Sequence, residues 1–134
     1  MLGKLLINFW CLMNRLLVLN LYYAPESFGG ATIVAEETSR RLQDDHNWSV
    51  LVVTTMRDHS LPGFFLKRYK AKGVNVVAIN LPFDSQGEDL FRSPAVARCV
   101  LEIAQAFKPD VCHCHAIQII GCEFFESFVN ENFT

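Results

Sequence analysis

Residues 15–42 read RLLVLNLYYAPESFGGATIVAEETSRRL, and the fold is decided by how this stretch is parsed. Arg15 to Leu21 is short and nearly all apolar, the pattern of a parallel strand covered on both faces. The next segment, Tyr22 to Gly30, carries Pro25, Gly29 and Gly30, which predicts a loop. From Ala31 to about Asp44 the spacing of Ala31, Val34, Ala35, Thr38 and Leu42 is helical and marks the expected buried face. Glu36–Arg40 and Glu37–Arg41 would pair on the opposite face at i,i+4, in the favourable order. Strand, loop and amphipathic helix together make one β–α step.

The same step recurs along the chain. Trp48 to Thr54 (WSVLVVT) reads as a second strand, Val74 to Asn80 (VNVVAIN) as a third and Asp110 to His115 (DVCHCH) as a fourth. Between the second and third, residues 57–72 contain Pro62 and Gly63 and then a basic, aromatic run, FFLKRYK at 64–70. They read as a loop with a short helix. After a polar loop at 82–92, Ser93 and Pro94 suit the N-cap and first position of a helix. Val96, Ala97, Val100, Leu101, Ala104 and Phe107 supply its buried face, and Pro109 ends it. Ile117 to about Asn130 reads as a last helix, with Ile120, Phe124 and Phe128 on one face. Alternating β and α elements predict an α/β fold, a Rossmann-like parallel sheet with helices on both faces. A strand order 3-2-1-4 puts the topological switch point between the first and fourth strands. Ligands of such sheets bind beyond the strands' carboxyl ends at that point, and there the Gly29-Gly30 segment and His115 would converge.

The 134 residues suffice for one domain, and the 51% apolar and 19% charged composition is that of a folded chain. A net charge of −2, from 12 basic and 14 acidic residues, leaves no basic stripe for nucleic acid. The cysteines number five, without regular spacing, which argues against a disulfide framework and for the reduced cytosol. Leu2 to Met13 is apolar but broken by Lys4 and Asn8, and it falls short of the about 20 residues a membrane span requires. Residues 1–12 are therefore expected to be an N-terminal apolar extension, dispensable or a weak interfacial anchor, with translation open to starting at Met13. Residues 13–134 form the folded domain.

Four features are candidates to carry chemistry. Gly29 and Gly30, without Cβ atoms, let backbone approach a ligand next to a helix N-terminus whose free N–H groups favour an anion such as a diphosphate. Taken alone, the pair is more commonly a plain tight strand-to-helix turn with no ligand. They match neither G-x-G-x-x-G nor a P-loop. Cys112-His113-Cys114-His115 lies on a strand, where neighbouring side chains point to opposite faces, so the four do not converge on one metal ion. His115, at the strand's end, can hydrogen-bond a bound sugar or move a proton; His113, deeper on the same face, reads as a satisfied core histidine. Glu26, beside the glycines, can contact an acceptor hydroxyl or simply be solvated. Lys67, Arg68, Lys70 and Lys72, with Phe64 and Phe65, form either a solvated face or a contact for anionic lipid.

Taken together, LLVLNLYYAPESFGGATIVAEETSRRL at 16–42, WSVLVVT at 48–54 and FKPDVCHCH at 107–115 are similar to the N-terminal domain of family-four glycosyltransferases of the GT-B type. The resemblance runs from about Arg15 to His115. Its specific parts are the Tyr-x-Pro-Glu-x-x-Gly-Gly loop and Lys-Pro-Asp-Val-x-His-x-His; residues 56–92 are generic. The resemblance implies retaining transfer of a sugar from a nucleotide-sugar co-substrate to a carbohydrate or lipid-linked acceptor, without a metal or other cofactor. It implies that Gly29 and Gly30 offer N–H groups to the donor diphosphate and that His115 approaches the donor sugar as the catalytic residue. It further implies that Tyr23 and Glu26 lie where the acceptor binds. A C-terminal donor-binding domain, with a basic pair and a Glu-x7-Glu motif, is expected to complete such an enzyme and does not follow in these 134 residues. The chain reads as a truncated domain, inactive by itself, in the cytoplasm or peripheral to the inner face of the membrane.

The rival reading is a non-catalytic binding or interaction module that keeps the fold without the chemistry. A receiver-type signalling domain needs acidic residues after the first strand and an Asp ending the third, where this chain has Asn20-Leu21 and Asn80. Hydrolase chemistry lacks its G-x-S-x-G elbow.

Overall fold

A computed structural model describes residues 13–83, 93–116 and 130. The expectations for the extension at 1–12 and for a helix following residue 117, Asn130 apart, lie outside the described residues. The elements are β1 (Arg15–Asn20), α1 (Gly29–His46), β2 (Ser49–Met56), β3 (Leu66–Ala71), β4 (Val74–Asn80), α2 (Pro94–Phe107) and β5 (Val111–Ala116). They build one five-stranded α/β sheet of order β3-β4-β2-β1-β5. The four strands expected from the apolar runs are parallel to one another and stand in the expected order.

The sheet is mixed rather than wholly parallel, because β3 runs antiparallel to β4, Leu66 opposite Ile79 and Ala71 opposite Val74. The expected loop and short helix at 57–72 is therefore corrected at its second half. Lys72 (φ 50°) and Gly73 (φ 82°) turn the chain with both residues left-handed. That geometry matches the twist of a two-residue hairpin, and glycine accommodates it without strain. Gln43 of α1 donates to the Gly73 carbonyl at 2.9 Å and ties this turn to the helix.

Each face of the sheet has its own core. On one, α2 lays Val96, Ala97, Val100 and Ala104 against Leu17, Leu19, Val53 and Ile79. On the other, Ala35 and Leu42 of α1 pack with Leu16, Val18, Val50, Val52 and Val76. The β1 residues alternate between the two, so a strand apolar at every position is buried on both sides. Ser93 caps α2, its hydroxyl accepting from the Val96 N–H at 3.3 Å, with Pro94 next as expected.

Helix α1 departs from its expected register in three ways. It begins at Gly29, so the glycine pair is the helix's first turn rather than loop. Its buried residues are Thr32, Ala35 and Ser39, whereas Val34 is 55% and Ile33 62% exposed. Burial of two hydroxyls is inexpensive here, since each bonds the helix's own backbone: Thr32 to the Phe28 carbonyl at 2.8 Å, Ser39 to that of Ala35 at 2.6 Å. Thirdly, Glu37–Arg41 pairs as expected at 2.6 Å, but Arg40 turns to Glu37 (2.8 Å) and Asp44 (3.4 Å). Glu36 instead accepts from the Ser27 hydroxyl and meets Lys72 at 3.6 Å.

Candidate functional site at the carboxyl edge of the sheet

Strands β1, β2, β4 and β5 all deliver their last residues to one edge. At the end of β1, Asn20 is 1% exposed, and its Nδ2 donates to the Tyr22 carbonyl (2.6 Å) and to Thr32 Oγ1 (3.3 Å). The strand exit is thereby joined to the first turns of α1. The following carbonyl, Leu21 O, accepts from the hydroxyls of Thr54 (3.1 Å) and Thr55 (2.8 Å), which pins the loop to β2. On the other side of β1, the register shifts between Leu19 and Asn20, so that Asn20 stands opposite Ala116 with His115 adjacent.

Two side-chain atoms here are shielded from solvent and have no hydrogen-bond partner among the described residues: Asn20 Oδ1 and His115 Nε2. Buried polar atoms are nearly always paired, so two orphans on neighbouring strands at the switch point single out this junction as the candidate site. Burial, and then the nearby His113 ring, hold the His115 imidazole below its usual pKa and favour its neutral form. Neutral imidazole keeps both a donor and an acceptor nitrogen. His113 is exposed, its ring centroid 4.1 Å from that of His115, which corrects its reading as a satisfied core residue. Cys112 and Cys114 point to the α2 side, their sulfurs 3.9 Å apart. The alternation thus separates the cysteine pair from the histidine pair, and among the described residues no three metal-ligating side chains are grouped to hold an ion.

Gly29 adopts φ 80°, a conformation that disfavours any side chain, whereas Gly30 does not. Among the described residues, a Cβ at either position would meet no neighbouring atom within 4 Å. The backbone of α1's first turn consequently faces open space, flanked by the exposed Tyr22 and Phe28, whose rings meet edge to face at 5.9 Å.

The 22–30 loop also walls a cleft of about 300 Å³, beyond β2 and against β3. Of the two residues expected at an acceptor, Glu26 lines this cleft beside Tyr22. Tyr23 lines it too but is only 4% exposed and packs in the α1-side core. Burial pushes its phenol up to about 12, with a Ser39 hydrogen bond opposing the shift; its part is to anchor the loop. Arg57, Asp58, Lys67 and Tyr69 also line it. Sequence reading missed Arg57, Asp58 and Tyr69 and took Lys67 only for a solvated face or a lipid contact, because Lys67 and Tyr69 come to the cleft only through the antiparallel pairing of β3. The expected basic cluster is split by strand alternation: Lys67 faces the cleft with Tyr69, while Arg68 lies on the side of α2 and lines a second hollow with Phe107.

The fold defines the class of the molecule as an α/β domain built on a mixed five-stranded sheet, with its candidate site at the carboxyl ends of the parallel strands. Comparison with models of known families, with curated proteins and with solved structures finds no match. Among the described residues no helix is long and apolar enough to cross a membrane.

Proposed function

We propose that this chain is the N-terminal, acceptor-side half of a retaining GT-B glycosyltransferase, a Rossmann-like domain completed by a second, donor-binding domain. The observation that carries the reading is the orphaned His115 Nε2 at the β1–β5 junction, next to Asn20, whose amide is bonded to Thr32 in the glycine-led first turn of α1. In the reaction the bond from the anomeric carbon to the nucleoside diphosphate breaks, and a bond to the acceptor oxygen forms. The acceptor's proton departs with the diphosphate. Gly29 and Gly30 N–H groups stabilise the charge that grows on that leaving group, aided by the positive end of α1. His115, held neutral, hydrogen-bonds the donor sugar and fixes its orientation. Glu26 takes the acceptor hydroxyls. Exposed Tyr22, Phe28, Ile33 and Val34 beside the glycines suit a face on which a donor domain closes. The setting is the cytoplasm, where nucleotide-sugars are available.

The test is nucleotide-sugar turnover by the native gene product, purified from its source together with any chain that accompanies it. Release of nucleoside diphosphate is expected, and His115→Ala should lower kcat by at least about tenfold, the scale of one lost transition-state contact, with an unchanged unfolding midpoint. Normal turnover in His115→Ala would remove the residue from the site; absence of any turnover across common donors would favour the binding-module reading.

A further inference from the structure

We infer that Cys112 and Cys114, side by side on the α2 face of β5, form a two-coordinate site for copper(I). The site does not depend on the transferase reading, since strand alternation puts it on the opposite face of β5 from His113 and His115.

The spacing of the two sulfurs decides between a disulfide and a metal. Both cysteines are free, and their Sγ atoms lie 3.9 Å apart. Residues two apart on a strand are separated by about 6.6 Å at Cα, and their Cβ atoms stand side by side at a similar distance. A disulfide requires Cβ atoms within about 4.5 Å, so closing one would bend the strand. Regular pairing with β1 opposes that bend, with Leu17 opposite Cys112 and Leu19 opposite Cys114; the register shifts only beyond Leu19. A metal ion removes the conflict. With metal–sulfur bonds of about 2.3 Å, two sulfurs can stand up to about 4.6 Å apart across one ion, and 3.9 Å falls within that reach.

The surroundings choose the ion. The pair packs against the core that holds Leu17, Leu19 and Val100, a setting without oxygen ligands for a hard cation such as Mg²⁺ or Ca²⁺. Among the described residues no third metal-ligating side chain joins the two sulfurs. Structural zinc takes four ligands and an iron–sulfur cluster four cysteines. Of the ions that thiolates select, copper(I) is the one satisfied by two. As each sulfur–copper bond forms, the thiol's proton leaves to solvent, and copper stays in its +1 state, so no oxidant or reductant is consumed. The bis-thiolate product carries one negative charge, and both cysteines are only part-buried, which leaves that charge within reach of water. An entry path exists as well, because β5 is the outermost strand on its side of the sheet among the described residues.

The test is anaerobic titration of the full chain with copper(I) against the chelator bathocuproine disulfonate. Cys11 and Cys122, which lie outside the described residues, are first replaced by serine so that they take up none of the ion. One copper(I) per chain is expected, and X-ray absorption should show a shell of two sulfurs and no nitrogen or oxygen. Cys112→Ser and Cys114→Ser should each weaken retention at least about a hundredfold, with native circular dichroism, while Cys99→Ser, in α2, should retain the ion. Retention unchanged in Cys112→Ser, loss in Cys99→Ser, or a shell containing nitrogen or oxygen would overturn the assignment. Ready closure of a Cys112–Cys114 disulfide by oxidised glutathione would overturn it too, because the strand would then not be holding the sulfurs apart. The X-ray absorption result needs no change at either cysteine, so the inference stays testable even where a serine variant fails to fold.

Discussion

Replacing Asn80 separates hydrogen bonding from shape at the point where the cleft is framed. Asn80 ends β4 and is 1% exposed. Its Oδ1 accepts from the Asp58 N–H at 2.8 Å, while Nδ2 faces the carbonyls of Asp58 (2.9 Å), Leu61 (3.1 Å) and Pro62 (2.9 Å). One side chain thus holds the whole 58–62 turn, including the segment that presents Arg57 to the cleft. With two amide hydrogens and one acceptor in use, Asn80→Ala removes roughly three bonds of about 1 kcal/mol each, for a loss of about 2–4 kcal/mol. Asn80→Asp preserves volume and the Asp58 contact, yet turns a carboxylate oxygen toward three carbonyls. It should therefore destabilise at least as much as Asn80→Ala, although it is the smaller change in shape. Urea unfolding followed by far-UV circular dichroism reads both; at an m-value of about 1.5 kcal/mol/M, 3 kcal/mol is a midpoint shift of about 2 M. An Asn80→Asp variant clearly more stable than Asn80→Ala at neutral pH would show that the amide donor does not secure this turn.

Two further predictions concern the glycine turn and His115. Gly29→Ala should destabilise by about 1 kcal/mol because of its left-handed φ, whereas Gly30→Ala, in helical backbone with open space around it, should be neutral or stabilise by up to about 1 kcal/mol; thermal unfolding distinguishes them, and equal effects would refute the assigned backbone. Gly30→Val should leave the fold intact and weaken donor use in the turnover assay, because the added side chain covers the backbone a diphosphate would approach. For His115 the folded-state pKa lies below the ordinary 6.5. The unfolded chain therefore takes up the proton first, so the residue's contribution is intact above pH 6.5 and is lost as pH falls below it, toward the folded pKa. His115→Gln should flatten the stability profile in that window, and an unchanged slope would rule out the burial argument.

How much the sequence conveys depends on whether burial or pairing fixes an element. Strands β1, β2 and β4 were legible because a strand covered on both faces must be apolar throughout, and LLVL at 16–19 and VVAI at 76–79 are buried along their length. Strand β3 was not, because LKRYKA has water on much of both faces and is held by main-chain pairing to β4, which leaves no apolar period. The signal that could have revealed it was Lys72-Gly73, a hairpin dipeptide directly before a certain strand. The buried face of α1 was misread because Thr32 and Ser39 satisfy their hydroxyls within the helix, so polarity did not report exposure. At the site, the glycines, His115 and Glu26 stood out by residue type and position. Asn20 did not, since its importance lies in an unpartnered atom, and Arg57 did not, since its place beside Lys67 in the cleft follows from tertiary pairing.

The charges of β3 have a bearing on how the protein behaves in concentrated solution. This strand is the outermost of the sheet on its side, and among the described residues nothing pairs with its far edge. Such an edge is a template for strand addition by another molecule. Lys67, Arg68 and Lys70 stand within six residues of it and alternate between its two faces, so a second β3 arriving edge to edge would set like charges against each other from either side. Repulsion of this kind is screened by salt, which makes the chain more prone to self-association at high ionic strength than at low. Neutralising Lys67 would then remove one guard against such edge-to-edge association.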